Sequence, residues 1–126
     1  MKLFVISVDD RPGMIAEICD LVKPAKIKYL ATQKADYGRG FIKIITDGDE
    51  STEKKLVEKK FMFIKEPLIL FKTDGSSEAL YMIAHGLGSK GINIENMFAL
   101  DSNTLAMIVA PNDVDRVHAI LKGKEI

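Results

Sequence analysis

The sequence has little from which a covalent or metal-held framework could be built. It contains a single cysteine and two histidines in 126 residues, so no intrachain disulfide forms and a cysteine-rich zinc site is excluded. It also lacks net charge, because 18 Lys+Arg balance 18 Asp+Glu. That leaves no general electrostatic reason to bind nucleic acid or an anionic membrane. Long apolar runs are missing too, since nothing approaches the ~20 residues of a membrane span. The N-terminal run Leu3–Ile6 soon meets Asp9 and Asp10 and is too short for a signal sequence, which makes the cytoplasm the expected location. What remains is ordinary: 47% apolar and 29% charged residues describe a soluble globular chain. Its length suits one ordinary domain or two very small ones.

An internal repeat favours two. Ile15-Ala16-Glu17-Ile18 aligns with Leu80-Tyr81-Met82-Ile83 at an offset of 65, and Ile27-Lys28-Tyr29 then falls beside Ile92-Asn93-Ile94. Asp10 matches Asp74 at an offset of 64, which reads as one residue inserted in the second loop. Each half follows the order strand, helix, strand, strand, helix, strand. Leu3–Val8 is β-rich, and Met14, Ile15, Ile18, Leu21 and Val22 share a helical face that Pro24 ends. Ile27–Ala35 and Gly40–Thr46 flank the turn Asp36-Tyr37-Gly38 as a hairpin. A polar helix opens at Asp49, and Phe61–Ile64 closes the half. The second half predicts strand Leu68–Lys72, helix Glu78–Leu87, strands Ile92–Leu100 and Thr104–Ala110, and helix Asp113–Leu121. Only Lys124-Glu125-Ile126 remain for its closing strand. Lys65-Glu66-Pro67 reads as a join too short to be a flexible linker.

This order predicts an α+β fold: two ferredoxin-like βαββαβ units, 1–66 and 67–126, with antiparallel sheets and helices on one face. A 60-residue unit buries only ~60% of its unfolded surface, so the two are expected to pack as a pseudo-dimer.

At Asp10-Arg11-Pro12-Gly13-Met14-Ile15, and again at Gly91-Ile92-Asn93-Ile94, the chain resembles the ACT domain family of small regulatory βαββαβ modules that bind amino acids. The resemblance covers essentially the whole chain and is nearest to stand-alone tandem ACT proteins with no attached enzyme. It implies a ligand between the first loop of one unit and the second strand of its neighbour. Asp10, Arg11, Gly13, Met14 and Ile15 would then face Ile92, Asn93 and Ile94.

The loop chemistry can be stated independently. Asp10 is placed as a helix N-cap, Pro12 is tolerated in the first turn, and Gly13 leaves the backbone amides bare for a carboxylate. Asn93 offers both an amide donor and an acceptor. The second loop, Asp74-Gly75-Ser76-Ser77, lacks the Pro-Gly pair, and Lys28 stands where the second half has Asn93. A reciprocal site of Asp74, Ser76, Ser77 and Lys28 is therefore expected to be the weaker, leaving one good site per chain.

Other signals point elsewhere or nowhere. Gly86-Leu87-Gly88-Ser89-Lys90-Gly91 spells a dinucleotide fingerprint, but it ends a helix instead of opening one and reads as a C-cap. Arg39-Gly40-Phe41 falls where an RNA-recognition motif keeps aromatics, yet Asn103-Thr104-Leu105 has none. Residues 1–66 carry 13 basic and 11 acidic side chains, and 67–126 carry 5 and 7; that is a poor phosphate footprint. His85 and His118 have no ligand-spaced partner, and Cys19 reads as a packed helix residue. Asp9 and Asp10 are adjacent in sequence and do not form an acid/base pair held by a fold, and no nucleophile has a base in sequence order.

The expectation is a non-catalytic regulatory protein, without metal or cofactor, that binds a free amino acid between its units. A homodimer or association with a metabolic enzyme would suit it, and neither nucleic acid nor membrane is an expected partner. The alternative is a structural or dimerisation module with a degenerate site. An RNA-binding βαββαβ module ranks below both.

Overall fold

Alternation of apolar side chains along Lys2–Asp9 makes strand β1, whose Phe4, Ile6 and Val8 turn to one face and are buried. The structure, a computed structural model, describes residues 1–126. After β1 come helix α1 (Met14–Leu21), strands β2 (Ile27–Lys34) and β3 (Arg39–Thr46), helix α2 (Asp49–Glu58) and strand β4 (Met62–Pro67). These form an antiparallel sheet in the order β2-β3-β1-β4. Ile18 and Val22 of the α1 segment and Leu56 of α2 meet Phe4, Ile6, Ile42 and Ile44 in one buried cluster, so both helices cover the same face. Each fully buried Ile or Leu contributes about 1.5–3 kcal/mol. The end of β3 is pinned to α2 by a buried Thr46–Thr52 hydroxyl pair at 2.7 Å.

The second half repeats the plan. Strand β5 (Ile69–Lys72), helix α3 (Ser77–Ser89), strands β6 (Ile94–Asp101) and β7 (Thr104–Val109) and helix α4 (Val114–Ile120) follow in turn, with a short 3-10 turn at Pro111–Asp113 before α4. The sheet order is β5-β7-β6. Ile83, Leu87, Val117 and Leu121 pack on Ile69, Phe71, Met107 and Val109. The chain divides into two compact units, Met1–Pro67 and Leu68–Ile126.

Three expectations need correction here. The join Lys65–Pro67 is part of β4, since Pro67 sits opposite Lys2 on an edge strand where its missing N–H costs no ladder bond. The closing strand of the second unit is reduced to one bridge, Phe71 with Glu125, flanked by Lys72 N to Lys124 O at 2.8 Å and Ile126 N to Leu70 O at 3.1 Å. The expected strand start at Ile92 moves to Ile94. Ile92 is instead the last anchor of the α3 C-cap, where Ile92 N reaches Leu87 O at 3.1 Å and Gly91 N reaches Gly88 O at 2.9 Å. Gly91 takes φ 74° there, the left-handed position that favours glycine. The Gly86–Gly91 run is therefore a helix end.

Candidate functional site

The loop between β1 and α1 leaves the helix without a side-chain cap. Its N-cap is Gly13, at φ 88°, a conformation open to glycine because no Cβ collides. Met14 N makes a turn bond to Arg11 O at 3.3 Å, and Glu17 N makes the first helical bond to Gly13 O at 3.0 Å. Between them, the amides of Ile15 and Ala16 take no acceptor from the chain. This corrects the expectation for Asp10, which is not the cap. Its own amide is held by Gly38 O at 2.9 Å, and Asp10 precedes the Gly13 cap by three positions. Pro12 likewise precedes the cap and lies outside the first turn.

A cleft of about 310 Å3 opens between this first turn and the ends of β2 and β3, bordered by Asp10, Arg11, Met14, Ile15, Thr32 and Lys34. Met14 is buried in the core and forms its floor, whereas Ile15 is exposed. Arg11 is engaged with Glu17 at 2.7 Å. Arg39 bonds Asp9 at 2.5 Å and Ser7 Oγ at 2.8 Å, bracing the strand end behind the loop. The Asp10 carboxylate is exposed and takes no partner from the chain. Free helix amides suit an anion, and an unpaired carboxylate suits an ammonium. Thr32 and Lys34 carry no motif, and Arg39 stood out only within the Arg39-Gly40-Phe41 run; the register that sets Asp9 opposite Arg39 and Thr32 opposite Ile42 brings all three near the loop.

The loop of the second unit satisfies itself. Thr73 Oγ1 accepts from Gly75 N at 3.1 Å, Asp74 Oδ1 from Ser76 N at 2.9 Å, and Ser76 Oγ caps α3 by accepting from Ala79 N at 3.1 Å. The Ser76 amide, then its hydroxyl, hold the Asp74 carboxyl below its ordinary value. Ser77 is exposed as the first helical residue. Asp74 borders a broader depression of about 530 Å3 with Ala79, Ile83 and Asn103.

The inserted residues also lie elsewhere than expected. Both loops have four residues (10–13 and 73–76), and both are tied to the hairpin tip, Asp10 N to Gly38 O and Thr73 N to Asn103 O, each at 2.9 Å. Thr73 is thus the counterpart of Asp10, and Asp74 that of Arg11. The extra length sits in α3, with 13 residues against 8 in α1. On the exit side, both second strands bulge, between Ile27 and Tyr29 and between Ile94 and Asn96. By the bulges, the counterpart of Lys28 in the second unit is Glu95, not Asn93.

Of the other residues singled out, Ile92 is buried in its unit's core and Ile94 is half-buried against it. Asn93 is exposed, and its amide takes no partner from the chain. Asp10, Arg11, Met14 and Ile15 thus border one cleft, Gly13 is the helix N-cap, and Asn93 and Ile94 belong to the second unit. No group of three or more His, Cys, Asp or Glu side chains is placed to hold a metal ion. No helix is long and apolar enough to cross a membrane.

No family model matches the sequence, nor does any curated protein. Solved structures do match the fold. A protein from Bacteroides thetaiotaomicron superposes with a TM-score of 0.82 at 18% identity, over 99% of this chain and 90% of that one. The ligand-free regulatory subunit of aspartate kinase from Thermus thermophilus gives 0.65 at 16% identity, over 95% and 89%. The Thermus flavus subunit gives 0.63 at 17%, over 92% and 86%. At these identities the likeness is one of fold. The chain has the fold of the ACT-domain proteins, two ferredoxin-like βαββαβ units in succession.

Proposed function

We propose that the chain is a non-catalytic regulatory protein that takes a free amino acid at the Asp10–Ile15 loop of its first unit. The observation that carries this reading is the uncapped start of α1 beside an unpaired Asp10 carboxylate in a cleft of about 310 Å3, at the small end of ligand-site volumes. The ligand carboxylate would lie on the Ile15 and Ala16 amides and its ammonium on Asp10. Its side chain would lie against Ile15 and Thr32. Asn93, with its free amide, is the proposed further contributor, and the self-capped loop at Asp74–Ser77 is proposed to stay empty. The same fold in regulatory subunits of aspartate kinase supports action through association with a metabolic enzyme. A ligand can alter such an association only by binding one arrangement of the chain better than another.

A thermal-shift screen against the twenty amino acids tests this. A ligand at 100-fold excess over its dissociation constant stabilises by about 2.7 kcal/mol. The shift should disappear in Asp10→Ala, and titration should give one site per chain. No shift with any amino acid at millimolar concentration would leave the structural-module reading in its place.

A further inference from the structure

Helix α3 is the longest in the molecule, yet Glu78 is the only charged Asp, Glu, Lys or Arg among its 13 residues. α2, by contrast, places acids and lysines along its length. The buried face of α3 is Ile83 and Leu87. On its outer side, Glu78, Tyr81, Met82 and His85 recur at i, i+3, i+4 and i+7 and so form one continuous face. Tyr81 and Met82 are each 61% exposed, and the Tyr81 ring stacks on His85 with centroids 5.3 Å apart. A solvent-facing helix surface is normally polar and charged; this one presents the aromatic and thioether groups enriched at protein interfaces.

The order of residues on this face selects the occupant. A two-fold interface needs a surface complementary to itself. In an antiparallel pairing of two α3 helices about an axis between Tyr81 and Met82, Glu78 lies opposite the partner's His85. Tyr81 then lies opposite the partner's Met82. The first contact is an acid against an imidazole, and the second is the favourable sulfur–aromatic kind. A parallel pairing would set Glu78 on its own copy and is repelled. The face carries no Lys or Arg, so it lacks what an anionic membrane surface attracts.

We infer that this face of α3 binds a second copy of the chain, making a homodimer through antiparallel α3 helices. The contact spans about two helical turns and is small, so the dimer is weak and concentration-dependent.

Sedimentation equilibrium from micromolar to millimolar concentration tests it. The wild-type chain should pass from monomer to dimer. Met82→Lys should raise the dimer dissociation constant roughly thirtyfold, as loss of a central contact does. His85→Glu sets two carboxylates opposite each other and should raise it roughly tenfold, and adding Glu78→Lys to that variant should restore the dimer. All three positions face solvent, so far-UV circular dichroism should be unchanged. A chain monomeric throughout overturns the inference. A dimer indifferent to Met82→Lys and His85→Glu does so too, because it must form elsewhere, and so does failure of the charge exchange to rescue.

Discussion

The loops that lead into α1 and α3 have equal length and the same tie to their hairpins, but they use their polar groups in opposite ways. In the second unit, three side chains within the loop accept from loop and helix amides. In the first, no side chain caps the helix, and glycine takes the cap position. A serine cap gains about a few tenths of a kcal/mol over a glycine cap, so the first unit forgoes a little local stability where the second collects it. The difference teaches how one backbone plan can hold a loop with free donors and a loop that satisfies itself. The loop proposed to take a ligand is the one whose donors are left over.

The sharpest way to break the comparison is at glycine. Gly13 and Gly75 are both left-handed, at φ 88° and 76°, and neither faces an atom close enough to clash with an added Cβ. Gly13→Val and Gly75→Val should each cost about 1–2 kcal/mol, the strain of an L-residue at positive φ. Their effects on ligand should diverge. Gly13→Val sets a branched side chain beside the free amides and should weaken amino-acid affinity at least tenfold by a rough estimate, whereas Gly75→Val should leave it unchanged. Equal losses of affinity in calorimetry would mean that the two loops do not differ in role.

A smaller effect is expected at the caps themselves. Ser76→Ala removes the hydroxyl that accepts from Ala79 N and should lower stability by roughly 1 kcal/mol in urea unfolding. Asp10→Ala removes a side chain with no partner from the chain and should stay within about 0.5 kcal/mol of wild type, as exposed positions do. If Asp10→Ala proved the costlier, Asp10 would hold the loop together and could not be free for a ligand.

Much of this contrast was legible in the sequence, and the reason it was not wholly so is physical. Hydrophobic spacing marked the strands and the α1 face, because burial imposes periods that local sequence must keep; Ile15, counted on that face, is nonetheless exposed. The missing Pro-Gly pair in the second loop already set it apart. What the letters could not fix was where inserted residues go. Matching Asp10 to Asp74 by identity put the insertion in the loop, but the backbone absorbs it in α3, and sheet register makes Thr73 the counterpart of Asp10. Lys28 was matched to Asn93 by the same counting, whereas the bulges make Glu95 its counterpart in the second unit. The N-cap role given to Asp10 failed for a related reason. A capping side chain must reach the amides two or three residues on, and the turn through Pro12 and Gly13 carries the chain beyond that reach. Thr32 and Lys34 had no local signal, since only pairing across strands brings them to the cleft.

The last expected effect is the smallest and isolates the self-satisfied loop. Asp74 titrates below its ordinary 3.8, first because its carboxylate accepts from the Ser76 amide and then from the Ser76 hydroxyl. The folded value lies below the unfolded one, so its contribution is fully present above the unfolded value. It is lost as pH falls through the folded value. Thermal melts of wild type and Asp74→Asn from neutral pH downward should differ by a constant offset until the acid range, then converge. Asp101 is also held low, by the Asn103 amide first and then the Thr104 hydroxyl, but it is common to both proteins and cancels in the difference. An offset that persisted unchanged below the folded value would show that the charge of Asp74 does not hold the loop. The self-capping that separates the two loops would then rest on Thr73 and Ser76 alone.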